Sequence, residues 1–265
     1  MSAESTAPWG AKRVILHVVI GLGAGFLSGM FGVGGGVVLV PALVLLLGYG
    51  QRMAAGTSLA AIVPAATVGV ISYAAAGDVQ WVAALILAGG AVVGAQIGTW
   101  LLPRVPVRAL QFAFAVFMLA VVVALFLVVP SRGAEFVVDV GTGAVLLLLG
   151  LVTGVLSGLL GVGGGVIVVP ALMLLIGTSD LVARGTSLLM MIPTALSGTV
   201  GNLRRSNVNI VGAAIIGVSA CTTTALGAWL ARSIDPLTGN IIFAVFLVAI
   251  AIQLVVRAVR RPKQS

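Results

Sequence analysis

Charge is scarce in this chain: 8% of its 265 residues are Asp, Glu, Lys or Arg, against 60% hydrophobic, at a mean hydropathy of +1.26. Soluble domains keep about 25% of their residues charged, so a water-facing globule could not be covered by what is present. Cysteine occurs once, at Cys221, which excludes an internal disulfide, and the single histidine, His17, leaves no His/Cys cluster with metal-ligand spacing. Asp78, Asp139, Asp180 and Asp235 all read as linker residues. No nucleophile with a base and no carboxylate pair then lies inside an apolar segment, which argues against an enzyme and implies no cofactor. The net charge of +8 sits in short linkers and a basic tail. A basic groove with interleaved aromatics is missing, so nucleic acid is not the expected partner.

Apolar sequence and glycine, 36 residues of it, are what the chain has in quantity. Charge-free runs cover 14–51, 53–77, 79–103, 109–131, 140–179, 206–231 and 236–256. Each can cross a hydrocarbon core of ~30 Å, which takes roughly 20 helical residues. The expected fold class is an all-α polytopic membrane protein. Residues 1–13 read as a cytoplasmic amino-terminal tail and 260–265 as a basic cytoplasmic tail. The first apolar run carries no small-residue cleavage site and reads as an uncleaved helix.

The chain repeats itself. Residues 25–43 match 154–172 at an offset of 129, with 14 identities in 19 positions. The register then holds without a gap: Gly56-Thr57-Ser58-Leu59 falls on Gly185-Thr186-Ser187-Leu188, Pro64 on Pro193, Trp100 on Trp229 and Phe114 on Phe243. Two units follow, 14–129 and 138–259, joined by a linker at 130–137. The first holds apolar segments at 14–31, 36–48, 54–76, 79–102 and 107–129. The second holds them at 138–160, 165–177, 183–202, 208–231 and 238–259. Five segments per unit put the second unit in the opposite orientation. With the amino end cytoplasmic and ten crossings, 11 of the 14 cations face the cytoplasm, and Arg132, Arg184 and Arg232 face away. If the second and seventh segments turned back, the split would weaken to 9 against 5. The positive-inside rule favours ten crossings, and inverted repeats of this kind recur among secondary transporters.

The second segment of each unit is short, 37–48 and 166–177. About 12 residues span roughly 18 Å of helix, so one end lies inside the membrane. The end preceded by Gly32–Gly36, or by Gly161–Gly165, is the better candidate, because glycine runs break helices and leave amides unshielded. A helix starting there aims its first N–H groups and positive dipole end at whatever occupies the cavity. Gly34, Gly35, Gly36, Gly163, Gly164 and Gly165 are therefore candidate anion-binding positions, the alternative being close helix packing.

Gly-Thr-Ser reads as the opening of the third and eighth helices, where Thr57, Ser58, Thr186 and Ser187 either cap the helix or donate to an oxyanion. Arg184, where the first unit has Ala55, reads either as an oxyanion clamp or as a solvated loop residue beside Asp180. Pro64 and Pro193 free the carbonyls of Ala60 and Leu189 and are candidate gating kinks. Ser28 and Ser157 either line the same cavity or bond back to their own helices. His17 is a candidate for coupling to a proton, although Leu146 is its counterpart. Trp100 and Trp229 read as interfacial belt residues.

The duplicated S-G-x-x-G-V-G-G-G, followed by Pro-Ala-Leu and then G-T-S-L, resembles the sulfite exporter TauE/SafE family over nearly the whole chain. That resemblance implies a multi-pass permease of the bacterial inner membrane. It further implies export of sulfite, organosulfonates or other small sulfur-containing anions, with the glycine-rich half-helices and the G-T-S elements at the site. The implied partners are a small anion, the lipid bilayer and a coupling proton or ion; no oligomeric state follows. The alternatives left by the residues are a passive anion channel or a permease for another small organic anion.

Overall fold

The computed structural model describes residues 10–106 and 139–260, with scattered positions between 109 and 123. The linker expected at 130–137, the ends 1–9 and 261–265, and most of the segment expected at 107–129 lie outside the described residues. In the first half α1 spans Ala11–Phe31, α2 Gly36–Leu46, α3 Gln51–Ala74 and α4 Trp81–Leu101. In the second half α5 spans Val140–Leu160, α6 Gly165–Ile176, α7 Asp180–Leu203, α8 Ile210–Ser233 and α9 Pro236–Arg260. Among the described residues there is no strand, and α1, α3, α4, α5 and α8 are each long and apolar enough to cross a membrane. The chain is an all-α polytopic membrane protein.

Helix starts follow local capping chemistry. Asp139 accepts the Thr142 amide at 2.7 Å ahead of α5, and Asn209 accepts the Gly212 amide at 2.9 Å ahead of α8. The Thr142 hydroxyl and amide also hold the exposed Asp139 carboxyl below the usual carboxylate range. At α7 the Ser179 hydroxyl accepts the Val182 amide, and Asp180 joins the first turn, where its charge suits the helix dipole. Asp180 is therefore a buried helical residue, 1% exposed, and the expected linker position is corrected. α1 and α5 both stop at a left-handed glycine, Gly32 or Gly161, whose amide donates to the carbonyl of Ser28 or Ser157.

The helices associate across the two halves. On α1, Gly25 lies against Ala220 and Gly29 against Thr224 of α8, so these helices run parallel. On α5, Gly154 lies against Ala91 and Gly158 against Ala95 of α4. Shifting either set by the repeat offset yields the other. The third helices pair with each other: Leu59 meets Gly198 and Leu188 meets Gly69, so α3 and α7 run antiparallel. Such an exchange of contacts, in which i meets j′ and j meets i′, marks a two-fold relation between the halves. Without a hydrophobic driving force between helices in lipid, this association rests on close packing over small residues.

A side chain on Gly25 would overlap the Ala220 backbone, whereas nothing lies within 4 Å of the Cβ position at Gly23. Gly25→Leu should destabilise the detergent-solubilised protein by about 1–3 kcal/mol, the ordinary cost of overpacking. Gly23→Leu should leave the thermal melt unchanged; equal losses from both would contradict this packing.

Candidate functional site

Both glycine loops run inward to the middle of the α3–α7 pair. Gly34 and Gly163 each abut Ile62 and Met191, which stand at the midpoints of α3 and α7. The loops also touch one another, Gly36 against Val162 and Gly165 against Val33. Gly35 and Gly164 adopt φ of 72° and 92°, conformations that a side chain disfavours and that let the chain turn into α2 and α6 without a capping side chain. The two half-helices thus begin beside each other at the centre of the bundle and run away in opposite directions. α2 has 11 residues, roughly 16 Å, about half a bilayer core. Pro41 and Pro170 lie inside the half-helices, and beyond Pro170 the α6 backbone loosens into a π-turn at Leu172–Ile176.

The Gly-Thr-Ser elements do not open their helices. They fall in the second turn of α3 and α7, because the caps at Gly50 and Ser179 start those helices earlier. Their hydroxyls bond the opposite half. Ser58 donates to the Gly161 carbonyl at 2.8 Å and Ser187 to the Gly32 carbonyl at 3.0 Å. Thr57 accepts the Asn209 amide and Thr186 the Gln80 amide, both at 3.0 Å. All four side chains are at most 1% exposed. In this conformation the serines fasten the mouths of the glycine loops and the threonines the starts of α8 and α4, roles that neither capping of their own helix nor anion donation anticipated.

Arg184 is not a solvated loop residue. It lies within α7, 5% exposed, donates to the Met30 carbonyl at 2.8 Å and pairs with Asp180 at 3.3 Å. Its backbone packs on Gly32, the place that Ala55 takes at Gly161. The same end of the bundle holds Tyr73, which donates to the Gly29 carbonyl, and an Arg232–Asp78 pair at 3.4 Å. The equivalent positions at the other end, Ala55 and Asn202, are uncharged.

His17 is fully buried: its Nδ1 lies 2.7 Å from the Arg13 carbonyl and its Nε2 3.0 Å from the Tyr49 hydroxyl, which also accepts from Asn209. Tyr49 and Asn209 escaped the sequence reading because their partners lie 32 and 160 residues away. α3 and α7 continue as helices through Pro64 and Pro193. Trp100 and Trp229, 53% and 61% exposed, stand near the ends of α4 and α8, and the Arg104 guanidinium lies over the Trp100 ring.

The profile of the sulfite exporter TauE/SafE family matches residues 2–125 and 146–265, one block per half. The chain belongs to this family. Among its relatives are probable membrane transporter proteins: YunE of Bacillus subtilis, 28% identical over 91% of this chain and 97% of its own, and one of Xylella fastidiosa strain 9a5c, 31% identical over 92% and 96%. A third, YdhB of Bacillus subtilis, is 29% identical over 84% of this chain and 91% of its own. This TauE/SafE member is a membrane transporter, and each of the two matched blocks contains one of its glycine loops.

The buried ion pair gives a direct test of that core. Asp180→Asn leaves Arg184 uncompensated and should cost about 3–5 kcal/mol, whereas Asp180→Asn combined with Arg184→Met should recover most of the loss. Thermal melts of the purified variants measure both, and a double variant no better than the single would refute the pairing.

Proposed function

We propose that the chain exports a small sulfur-containing oxyanion, sulfite or an organosulfonate, from the cytoplasm by alternating access between its two halves. The observation that carries this reading is the convergence of the α2 and α6 amino termini at the centre of the bundle. Each helix start carries roughly half a positive charge and unpaired amides, and two such ends in a medium of low dielectric repel unless an anion lies between them. The nearest acid along α7, Asp180, is eleven residues from Met191, about 16 Å of helix, and is already paired with Arg184. Gly34, Gly35 and Gly36 with Gly163, Gly164 and Gly165 would present the amides. Thr57, Ser58, Thr186 and Ser187 would release their cross-half bonds as a mouth opens, and Arg184 would meet the ion on one side. Pro64 and Pro193, in the middle of the pair that crosses at the site, would supply the bending.

The antiparallel pairing of α3 with α7 supports an inverted arrangement in the inner membrane, with both termini cytoplasmic as the cation distribution favours. Beside the second loop the cavity is about 10 Å³, too small for an oxyanion. That closure supports a gated carrier over an open pore. His17 is the candidate for proton coupling.

Proteoliposomes loaded with sulfite should show saturable flux that responds to a pH or sodium gradient. Gly35→Ala and Gly164→Ala should each lower that flux at least tenfold while the protein still inserts in the membrane, since a methyl group there meets the Ala24 carbonyl or the Thr153 side chain. Unimpaired flux in both variants would refute the loops as the site.

A further inference from the structure

Hydroxyls inside membrane helices ordinarily bond the carbonyl one turn back, and this chain follows that habit at Thr67, Ser72, Thr194, Ser219 and Thr224. Ser28, Thr153 and Ser157 do not. All three are at most 1% exposed, and their hydroxyl oxygens make no hydrogen bond. Their position explains why this matters. The Ala24 carbonyl and the Thr153 side chain press on Gly35 and Gly164, so Ser28 and Ser157, one turn further along the same helix faces, stand beside the glycine loops. Ser157 lines the small cavity together with Gly164, Val162 and Val166. Thr153 turns its methyl to Gly164, and one staggered step of χ1 would bring its hydroxyl to the same place.

We propose that Ser157 and Thr153 form a hydroxyl niche that seats the transported anion against the second glycine loop, with Ser28 the lesser counterpart on the first. The inference rests on the anion-export reading and adds the donors and a preferred half. A buried hydroxyl without a partner is costly in a protein interior, and an oxyanion accepting from it removes that cost while the hydroxyl adds no fixed charge to hold the ion too tightly. Two donors one turn apart, at about 5–6 Å between Cβ atoms, can converge on one small ion. The first half has Ala24 in place of Thr153 and so offers a single hydroxyl. The two seats are therefore unequal, and the stronger one lies on the second unit.

Sodium sulfite is the probe, with binding to the purified full chain followed by calorimetry and by the sulfite-induced rise in melting temperature, and flux followed in proteoliposomes. Ser157→Ala and Thr153→Val should each weaken sulfite binding about tenfold, and Ser28→Ala no more than about threefold. Without sulfite the variants should melt at or above the wild-type temperature, because each removes an unsatisfied group. Wild-type binding and flux in the Ser157→Ala, Thr153→Val double variant would overturn the niche while leaving the export reading in place. A double variant that melts lower without sulfite would also overturn it, by showing that the hydroxyls serve the fold. A wild-type chain that neither binds nor moves sulfite, sulfate or thiosulfate would overturn the export reading and the niche with it.

Discussion

Non-helical backbone in the middle of a bilayer persists only where protein closes around it, and the rest of this molecule answers to that demand. The two glycine loops interrupt the hydrogen-bond ladder at the centre of the bundle. α3 and α7 cross beside them, with Ile62 and Met191 against the loops, and small residues let α1 approach α8 and α4 approach α5 until backbones touch. The carbonyls of Gly32 and Gly161, left over where α1 and α5 stop, are taken by serines of the opposite half. Each half takes one carbonyl of the other's loop. The duplication is thus an exchange of hydrogen-bond partners as well as a copying of sequence.

On this common frame the two ends of the bundle have diverged. One end carries the Asp180–Arg184 pair, Tyr73 and the Arg232–Asp78 pair, all drawn onto the carbonyl ends of α1 and α3 or onto each other. The other has Gln51, Ala55, Asn202, Pro103 and Asn207 at the matching sites, and its distinctive feature is the chain from Asn209 through Tyr49 to His17, with the Arg13 guanidinium over the Tyr49 ring. One end is thus tied by ion pairs between side chains and the other by hydroxyl, amide and imidazole hydrogen bonds.

Much of this was legible in the residues. The repeat offset of 129 gave the two units, and the twelve-residue length of the second segments favoured half-helices that start at the glycines. The resemblance carried by the glycine motif matched the family. What stayed hidden depended on partners distant in sequence. Ser58 and Gly161 are 103 residues apart, so local logic offered only capping or ligand binding for the Gly-Thr-Ser hydroxyls. Asp180 read as a linker charge, and Arg184 as either an oxyanion clamp or a loop residue beside it, because a charged pair looks like a boundary; a carbonyl from α1 and burial against Gly32 place both in the interior. The idle hydroxyls of Ser28 and Ser157 could not be told from self-bonded ones, since both states share a sequence.

The partnership of α1 with α8 also bears on how the protein is made. About 180 residues separate the end of one from the start of the other. At translation rates of ~5–20 residues per second, the first helix waits roughly ten to forty seconds in the bilayer with its glycine face unmatched. During that interval lipid tails, another nascent chain or an insertion factor must cover the face, and α4 needs no such attendant for long because α5 follows it closely. The cross-half bonds of Ser58 to Gly161 and of Ser187 to Gly32 can likewise form only once the second half has been made.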